Sequence, residues 1–203
     1  MGRRAIIMDR DGTLCDEVGY VNHVERLQVP ARSVAAVRRA NEAGFQTVVV
    51  TNQAGVARGY FDESLVLDVH DRLREVLEDG GARLDGVYYC PHHPEVGAAP
   101  YRRTCACRKP GTGMLERARD EMGIDLARSF MIGDTIKDVE AGERAGAATV
   151  LVRTGYGRGE IEHHAASWSV HPDHVADDLY EAVAWILESA GPTADDATEQ
   201  ASP

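Results

Sequence analysis

The stretch that most constrains this chain is a short apolar run near its N-terminus that ends in two acids. Residues 5–13 read Ala-Ile-Ile-Met-Asp-Arg-Asp-Gly-Thr, which places Asp9 and Asp11 one residue apart before Gly12. An apolar run bounded by Asp and Gly is typical of a buried strand that ends in a turn. Two carboxylates held so close repel each other unless a cation or a proton relieves them. We therefore expect both acids to reach into one crevice, although an ordinary acid-rich strand exit explains these residues equally well on their own.

Apolar runs alternate with amphipathic stretches along the rest of the chain. This alternation predicts βαβ units and hence an α/β fold with a parallel sheet. The predicted strands cover residues 5–9, 47–52, 86–91, 129–134 and 148–154, with a weaker one at 174–176. The predicted helices cover residues 31–43, 114–122, 138–145 and 178–188, and another opens at Asp62. Ligands of open parallel sheets bind beyond the carboxyl ends of the strands, so polar clusters at these ends are the candidate sites.

Length and charge limit the classes of function. The 203 residues predict one domain over residues 1–190 and a disordered acidic tail over 191–203. The net charge of −11, from 22 basic and 33 acidic residues, argues against nucleic acid and anionic membranes as partners. The N-terminal apolar run is too short for a signal peptide or a membrane span, so we expect a cytoplasmic protein. No helix shows two apolar faces, which favours a monomer.

The end of the second predicted strand has polar side chains suited to phosphate. Thr51, Asn52 and Gln53 directly follow three valines. Their hydroxyl and amide groups, with the backbone N–H groups of the turn at Ala54, can donate hydrogen bonds to phosphate oxygens. Taken by itself, an ordinary turn is the simpler reading of this segment.

Charged residues also lie next to two later predicted elements, namely at the start of a helix and at the end of a strand. Arg108 and Lys109 precede a predicted helix, where a cation stabilises a phosphoryl group, although an isolated Arg-Lys pair is usually surface charge. Asp134 follows an apolar run, and Asp138 lies one helical turn further on the same side. Together with the two N-terminal acids these residues form a set that chance does not explain.

The cysteines predict a metal site. Cys90 and His92 are followed by Cys105 and Cys107, a set of three thiolates and one imidazole that suits tetrahedral zinc. A disulfide is a poor alternative in a cytoplasmic chain, and simple burial does not explain two close pairs. Such a zinc would be structural and would fix the loop of about residues 90–107, with His93 as a second candidate ligand.

The other cysteine and histidines receive simpler interpretations. Cys15 lies outside the zinc set and is expected to pack or to face the edge of the crevice. Four more histidines are expected to be solvated: His23, His70, His163 and His164.

The ordered motifs resemble the haloacid dehalogenase superfamily of phosphohydrolases. Those motifs are Asp9-Arg10-Asp11-Gly12-Thr13, Thr51-Asn52, Lys109-Pro110, and Gly133-Asp134 with Asp138. The segments Gly19-Tyr20-Val21, Gly55-x-Ala57-Arg58-Gly59, Tyr88 to Pro94 and Cys105-x-Cys107-Arg108-Lys109-Pro110 resemble, more narrowly, the heptose bisphosphate phosphatases and their histidinol-phosphate phosphatase relatives. The resemblance implies a three-layer α/β/α, Rossmann-like fold and zinc at Cys90, His92, Cys105 and Cys107.

The resemblance also implies a role for each acid. Asp9 would attack phosphorus as the nucleophile, and Asp11 would protonate the leaving oxygen and then activate water. Thr51 and Lys109 would hold the phosphoryl oxygens. Mg²⁺ would be bound by the carboxylates of Asp9 and Asp134 and by the backbone carbonyl of Asp11. The nucleophile would then need a low pKa beside a cation.

Three positions limit how far the residue roles of the family apply to this chain. Asp138 is expected to orient Asp134 or Lys109 rather than to bind the metal. Thr135 stands where the family commonly has Lys, and Ala54 stands where it commonly has Ser.

Substrate choice is expected to depend on loops. The residues between the first two strands fit one loop and one helix, which leaves no room for a large cap domain and predicts an open crevice. A second phosphate would need a cation such as Arg108, helped by Arg58 or Arg102. The resemblance predicts that the loop 17–20 binds substrate. The sequence by itself explains this loop equally well as a simple connection between elements. The expected substrate-binding residues are Glu17, Val18, Gly19, Tyr20, Asn52, Gln53, Ala54, Arg108 and Lys109.

Three functions follow from these motifs. The first is a Mg²⁺-dependent phosphatase that removes the 7-phosphate of D-glycero-D-manno-heptose 1,7-bisphosphate through an aspartyl-phosphate, in the biosynthesis of nucleotide-activated heptose. The second is a histidinol-phosphate phosphatase, whose substrate ammonium Asp16 or Glu17 would bind. The third is a catalytically idle, zinc-stabilised phosphosugar-binding protein, which the acid at Asp11 argues against because binding alone does not need it.

Overall fold

A parallel sheet forms the centre of the molecule. In this computed structural model, which describes residues 2–190, the six strands are β1 Ala5–Met8, β2 Gln46–Asn52, β3 Gly86–Cys90, β4 Phe130–Gly133, β5 Ala148–Val152 and β6 His174–Ala176. Their order is β3-β2-β1-β4-β5-β6, and every neighbouring pair is parallel. The predicted α/β fold is confirmed, and the predicted strand ends are within two residues of those observed.

Helices connect the strands. They are α1 Ala31–Glu42, α2 Glu63–Asp79, α3 Gly113–Met122, α4 Ile136–Ala145, the single turn α5 Gly157–Gly159 and α6 Leu179–Ser189. The Asp62 carboxylate caps α2 by accepting a hydrogen bond from the Leu65 amide at 3.1 Å. Gly123 and Gly146 take left-handed conformations that end α3 and α4.

The helices form layers on both faces of the sheet. Because side chains alternate along a strand, Ile6 and Met8 pack in the core formed with α1, α2 and α6. Ala5 and Ile7 pack in the opposite core, against α3 and α4. Both cores consist of buried, mostly aliphatic side chains, so the sheet is covered on both sides. This is the three-layer α/β/α arrangement that the resemblance implied.

The strands up to β3 are added to the sheet on one side of β1, and those from β4 onward are added on its other side. From β1 the chain proceeds outward through β2 to β3 and then returns to the other side of β1 with β4. Ligands of doubly wound sheets bind beyond the carboxyl ends of the strands where the strand order reverses in this way. Asp9 directly follows β1 and Asp134 directly follows β4, so both lie at this position.

No large domain interrupts the described chain between β1 and β2, where the sequence left no room for a cap, or between β2 and β3. Between β1 and β2 it contains a loop, a short helical turn and α1, and between β2 and β3 its one helix is α2. None of the described helices has the length and apolarity needed to cross a membrane. The predicted tail, 191–203, lies outside the described residues, and the assignment of one domain stays a prediction.

Two leucines of α2 test this packing. Leu73 is fully buried in the core, whereas Leu67 is 50% exposed. Leu73→Ala should lower the free energy of unfolding by about 2–5 kcal/mol because it leaves a cavity. Leu67→Ala should change it by no more than about 0.5 kcal/mol. Urea denaturation of both variants measures the difference, and equal effects would contradict the assigned helix face.

Candidate active site and metal centres

A polar cleft of about 370 Å³ opens at the carboxyl ends of β1, β2 and β4. Most of the predicted catalytic, magnesium and substrate residues line it: Asp9, Asp11, Glu17, Gly19, Tyr20, Thr51, Asn52, Gln53, Ala54, Arg108, Lys109 and Asp134. Val18 is not among the lining residues, and its carbonyl accepts a hydrogen bond from Arg26 at 2.9 Å. The polar clusters that were scattered along the sequence therefore converge on one cleft.

A buried ammonium group lies at the base of the cleft. Lys109 Nζ is 2.9 Å from Asp9 Oδ1 and donates a hydrogen bond to the Val50 carbonyl at 2.8 Å. It is also 2.7 Å from Asp138 Oδ1, an ion pair rather than a well-aligned hydrogen bond. Burial opposes the charge on Lys109, but Asp138 and Asp9 outweigh it and raise the pKa of the ammonium. Lys109 is therefore a fixed positive charge beside Asp9.

Asp138 is tied to the start of α4. Its Oδ2 accepts hydrogen bonds from the Thr135 amide at 3.1 Å and the Thr135 hydroxyl at 2.7 Å. The other carboxylate oxygen faces Lys109. Of the two partners expected for Asp138, the structure thus shows contact with Lys109.

The acids of the cleft have more negative charge than Lys109 balances. Asp9, Asp134 and Asp138 have carboxylate oxygens within 4.8 Å of one another and face this one ammonium, so ionisation of all three would leave an excess of two negative charges. Burial, reinforced by the neighbouring carboxylates, raises the pKa of Asp9 to about 7 and that of Asp134 to about 8. For the protein groups alone, burial exceeds the effect of Lys109 and the pKa of Asp9 is raised, so the low pKa expected for Asp9 beside a cation stays a prediction. A divalent cation with a preference for oxygen ligands fits both the charge and the donor atoms.

Two glycines leave room for the Asp134 carboxylate. A Cβ atom on Gly12 or on Gly155 would lie 2.1 Å from Asp134 Oδ2, and both residues have positive φ. The same Oδ2 accepts a hydrogen bond from the Tyr156 amide at 2.8 Å. The turn after β1 and the segment after β5 therefore enclose Asp134 from two sides.

The Asp11 carboxylate is bound by two side chains, those of Arg10 and Gln53. Arg10 donates to it through Nε at 3.0 Å and through Nη2 at 2.8 Å. Gln53 Nε2 donates to the same carboxylate at 2.9 Å and to Thr51 Oγ1 at 2.8 Å. Asp11 and Thr51 are thus connected by one amide group.

Asn52 fixes the backbone of Lys109. Its Nδ2 donates to the Lys109 carbonyl at 3.1 Å, and its Oδ1 accepts from the Lys109 amide at 3.0 Å. Asn52 was predicted to bind substrate, and in this structure both ends of its amide hold the loop that contains the lysine.

The four predicted zinc ligands meet at one point. Cys90 Sγ lies 3.5 Å from Cys105 Sγ and 3.1 Å from Cys107 Sγ, and His92 Nδ1 lies 3.4 Å from Cys107 Sγ. The donor atoms all lie within 4.8 Å of one another, and none of the cysteines forms a disulfide. Three sulfurs and an imidazole nitrogen so arranged fit a tetrahedral zinc ion. His93 accepts hydrogen bonds from the amides of Glu95 and Val96 instead.

The segment that contains these ligands contacts both α2 and the cleft. Glu63, at the start of α2, accepts hydrogen bonds at 2.7 Å from the hydroxyls of Tyr89 and Tyr101. Arg108 donates from Nη1 to the His92 carbonyl at 3.1 Å. A metal ion at this point would therefore restrain the residues that lead directly into Arg108 and Lys109.

Known proteins with similar sequences indicate the family to which this chain belongs. The family model described as HAD-hydrolase-like matches residues 106–182. The D-glycero-beta-D-manno-heptose-1,7-bisphosphate 7-phosphatase of Yersinia pestis is 44% identical over 165 residues, which are 81% of this chain and 88% of that protein. The D-glycero-D-manno-heptose-1,7-bisphosphate 7-phosphatase of Thermosynechococcus vestitus is 42% identical over 199 residues, 95% of this chain and 100% of that protein. The chain belongs to the heptose bisphosphate phosphatase family.

A solved structure agrees with this membership. The D,D-heptose 1,7-bisphosphate phosphatase from B. bronchiseptica, complexed with magnesium and phosphate, superposes with a TM-score of 0.80 at 32% identity. The match covers 92% of this chain and 99% of that one. The resemblance of the motifs to phosphohydrolases is thereby confirmed, and phosphatase chemistry is the activity of the family.

Several residues at the heptose bisphosphate phosphatase site were missed or misread in the sequence. His70 was expected to be solvated, yet it is only 3% exposed and contacts Arg10. Arg10 was read only as part of a motif, although its side chain is 1% exposed. Tyr156 lines the cleft from a segment in which no motif was recognised. Cys15 packs in the apolar core, one of the two expected alternatives.

Gly155 provides a test of the cleft geometry. Gly155→Ala should lower phosphatase activity on the order of 10- to 100-fold, because the added methyl group displaces the Asp134 carboxylate. Gly159→Ala is the matched control, since it has helical dihedral angles and no heavy atom within 4 Å of the added carbon. Steady-state phosphate release measures both. Full activity in the Gly155 variant would contradict the role of this close approach.

Proposed function

We propose that this protein removes the 7-phosphate of D-glycero-D-manno-heptose 1,7-bisphosphate, as a cytoplasmic and monomeric enzyme of nucleotide-activated heptose biosynthesis. The proposal is supported most directly by the placement of Lys109 Nζ 2.9 Å from Asp9 Oδ1, beside Asp134 and at the base of an open cleft. The identity of the proposed substrate is inferred from relatives of 42–44% identity that are named for this activity.

The proposed reaction begins at Asp9. Its carboxylate attacks phosphorus, and the bond from phosphorus to the sugar oxygen breaks as the aspartyl-phosphate forms. Asp11 gives a proton to the departing oxygen and then takes one from the water that hydrolyses the aspartyl-phosphate. Lys109 and the Thr51 hydroxyl stabilise the charge on the phosphoryl oxygens. The fixed positions of Lys109 and Thr51 support this, because preorganised groups need no rearrangement during the reaction.

The acids of the cleft would hold Mg²⁺. Asp9 and Asp134 provide carboxylates, and the backbone carbonyl of Asp11 is the third proposed protein ligand. When bound, the ion neutralises phosphate charge and orients the phosphoryl group. The excess of two negative charges that full ionisation of these acids would leave around Lys109 supports a divalent ion at this place.

Zinc is proposed for the second centre, at Cys90, His92, Cys105 and Cys107. Four protein ligands leave no open position, so the role would be structural. The hydrogen bond from Arg108 to the His92 carbonyl supports a link between this centre and the cleft. Zinc would then hold Arg108 where a second phosphate could bind it.

Substrate recognition is proposed to involve the cleft rim. Glu17, Gly19 and Tyr20 line the cleft, with Val18 in the same loop, and so do Asn52, Gln53, Ala54 and Arg108. An arginine suits a phosphate, which favours a bisphosphate. Glu17 suits an ammonium, which keeps histidinol phosphate as the second candidate.

A substrate panel tests the proposed function. Purified protein with Mg²⁺ should release phosphate from both or one of the two anomers of heptose 1,7-bisphosphate faster than from heptose monophosphates or histidinol phosphate. Phosphate release from histidinol phosphate alone would replace the proposed substrate by the second candidate. An absence of release from every compound would favour the catalytically idle binding protein.

The nucleophile has its own test. Asp9→Asn should lower turnover by at least about 10³-fold, because an amide does not attack phosphorus. Asp68→Asn, on the exposed side of α2, is the control and should retain full activity. Circular dichroism should show both variants folded. Retained turnover in the Asp9 variant would exclude Asp9 as the nucleophile.

Metal analysis tests the zinc centre. Wild-type protein and a Cys15→Ala control should each contain about one zinc ion per chain, because Cys15 lies in the apolar core. Cys105→Ser should lose the zinc and unfold at a lower temperature. Unchanged stability in the zinc-free variant would contradict a structural role.

A further inference from the structure

A buried arginine holds the Asp11 carboxylate from the side that faces away from the cleft. The Arg10 side chain is 1% exposed, whereas Asp11 is 24% exposed. The edge of the guanidinium formed by Nε and Nη2 meets both carboxylate oxygens, at 3.0 and 2.8 Å. This two-point contact fixes the plane of the carboxylate as well as its position.

A histidine on α2 contacts the remaining nitrogen of the same guanidinium. His70 Nε2 lies 3.2 Å from Arg10 Nη1, in the buried layer between α2 and the sheet. Burial, reinforced by the charges of Arg10 and Arg74, lowers the pKa of His70 to about 3. The ring is therefore neutral at ordinary pH, and its Nε2 accepts the hydrogen bond when Nδ1 has the proton. The His70 ring also packs against Tyr89, with centroids 5.6 Å apart.

These two contacts lie on different parts of one rigid, planar group. Contact with His70 limits rotation of the guanidinium, and the opposite edge then presents its two N–H groups to Asp11. Removing the acceptor would leave a buried N–H without a partner and free the guanidinium to turn. The orientation of the cleft acid is thus set by a residue that does not line the cleft.

We propose that His70, acting through Arg10, is a positioning residue that sets the orientation of Asp11 for proton transfer to the leaving group. The inference rests on the proposed phosphatase reaction, in which the bond from phosphorus to the leaving oxygen breaks while the Asp11 proton moves to that oxygen. It assigns a role in the chemical step to His70, although the buried face of α2 on which His70 lies otherwise packs in the core.

The leaving group provides a readout that a merely structural residue would not change. An alkyl phosphate such as glycerol phosphate releases a strongly basic oxygen and needs the proton from Asp11. The aryl ester p-nitrophenyl phosphate releases a weakly basic oxygen that departs without it. The value of kcat/KM reports steps up to departure of this group, so the alkyl-to-aryl ratio of kcat/KM measures proton donation.

His70→Leu should lower the alkyl-to-aryl ratio on the order of 10-fold, since general acid catalysis contributes about 10²–10⁴-fold and only its alignment is impaired. His70→Gln, whose amide oxygen can accept from Arg10, should keep the ratio within about threefold of wild type. Leu73→Ala is the matched control, because it removes core packing from the same helix without removing the acceptor. It should lower stability and leave the ratio unchanged.

Arg10→Lys provides a second route to the same test if His70→Leu does not fold. Lysine keeps the charge but does not meet Asp11 with two N–H groups while also contacting His70. Its ratio should fall as in His70→Leu. An unchanged ratio in these variants, or an equal fall in Leu73→Ala, would overturn the positioning role.

The same assay separates this inference from the proposed function. Wild-type activity on the alkyl and aryl esters but not on heptose 1,7-bisphosphate would overturn the proposed substrate and leave the ratio test in force. No phosphate release from any ester by the wild type would overturn both.

Discussion

The buried ion pair between Lys109 and the acids of β1 and α4 is the interaction on which the site depends. Removing an ammonium from water costs several kcal/mol, and the cost is offset only where opposite charges lie close and in good geometry. Here Lys109 Nζ lies within 3 Å of both Asp9 and Asp138. Those two acids come from different parts of the chain, so the pair forms only after β1 and β4 are adjacent in the sheet. The cleft is therefore complete only once the centre of the sheet has formed.

The surrounding structure serves to keep this charge cluster in place. Asn52 holds the backbone of Lys109, and Thr135 holds Asp138. Glycines at 12 and 155 leave space for Asp134 beside them. The Cys₃His centre lies immediately before Lys109 in the chain, so a metal there would restrain the same loop.

The sequence predicted the strands and the positions of two acids well because Asp9 and Asp134 each end an apolar run. Asp9 and Asp134 are adjacent to strands whose composition is unambiguous, and the spacing of Cys90, His92, Cys105 and Cys107 correctly indicated that these four residues lie together. His70 was misread because a single polar residue on a helix is usually solvated. Its position offered a signal, since Val66, Val69, His70, Leu73 and Leu77 share one helical face.

Other features depended on contacts between segments distant in sequence. The bond of Asn52 to Lys109 joins residues 57 apart, and that of Arg10 to His70 joins residues 60 apart. No local pattern encodes such pairs. The rise in the pKa of Asp9 that burial causes in the protein alone was likewise not visible in the sequence, because the loss of water around a buried carboxylate depends on the packing of the whole cleft.

Chemical trapping of the phosphorylated acid tests the central claim most directly. An aspartyl-phosphate is an acyl phosphate, which borohydride reduces to homoserine. Wild-type protein quenched during turnover and treated in this way should contain homoserine at position 9, as peptide sequencing by mass spectrometry would detect. Homoserine at any other aspartate, or inversion of configuration at phosphorus in the overall reaction, would contradict attack by Asp9.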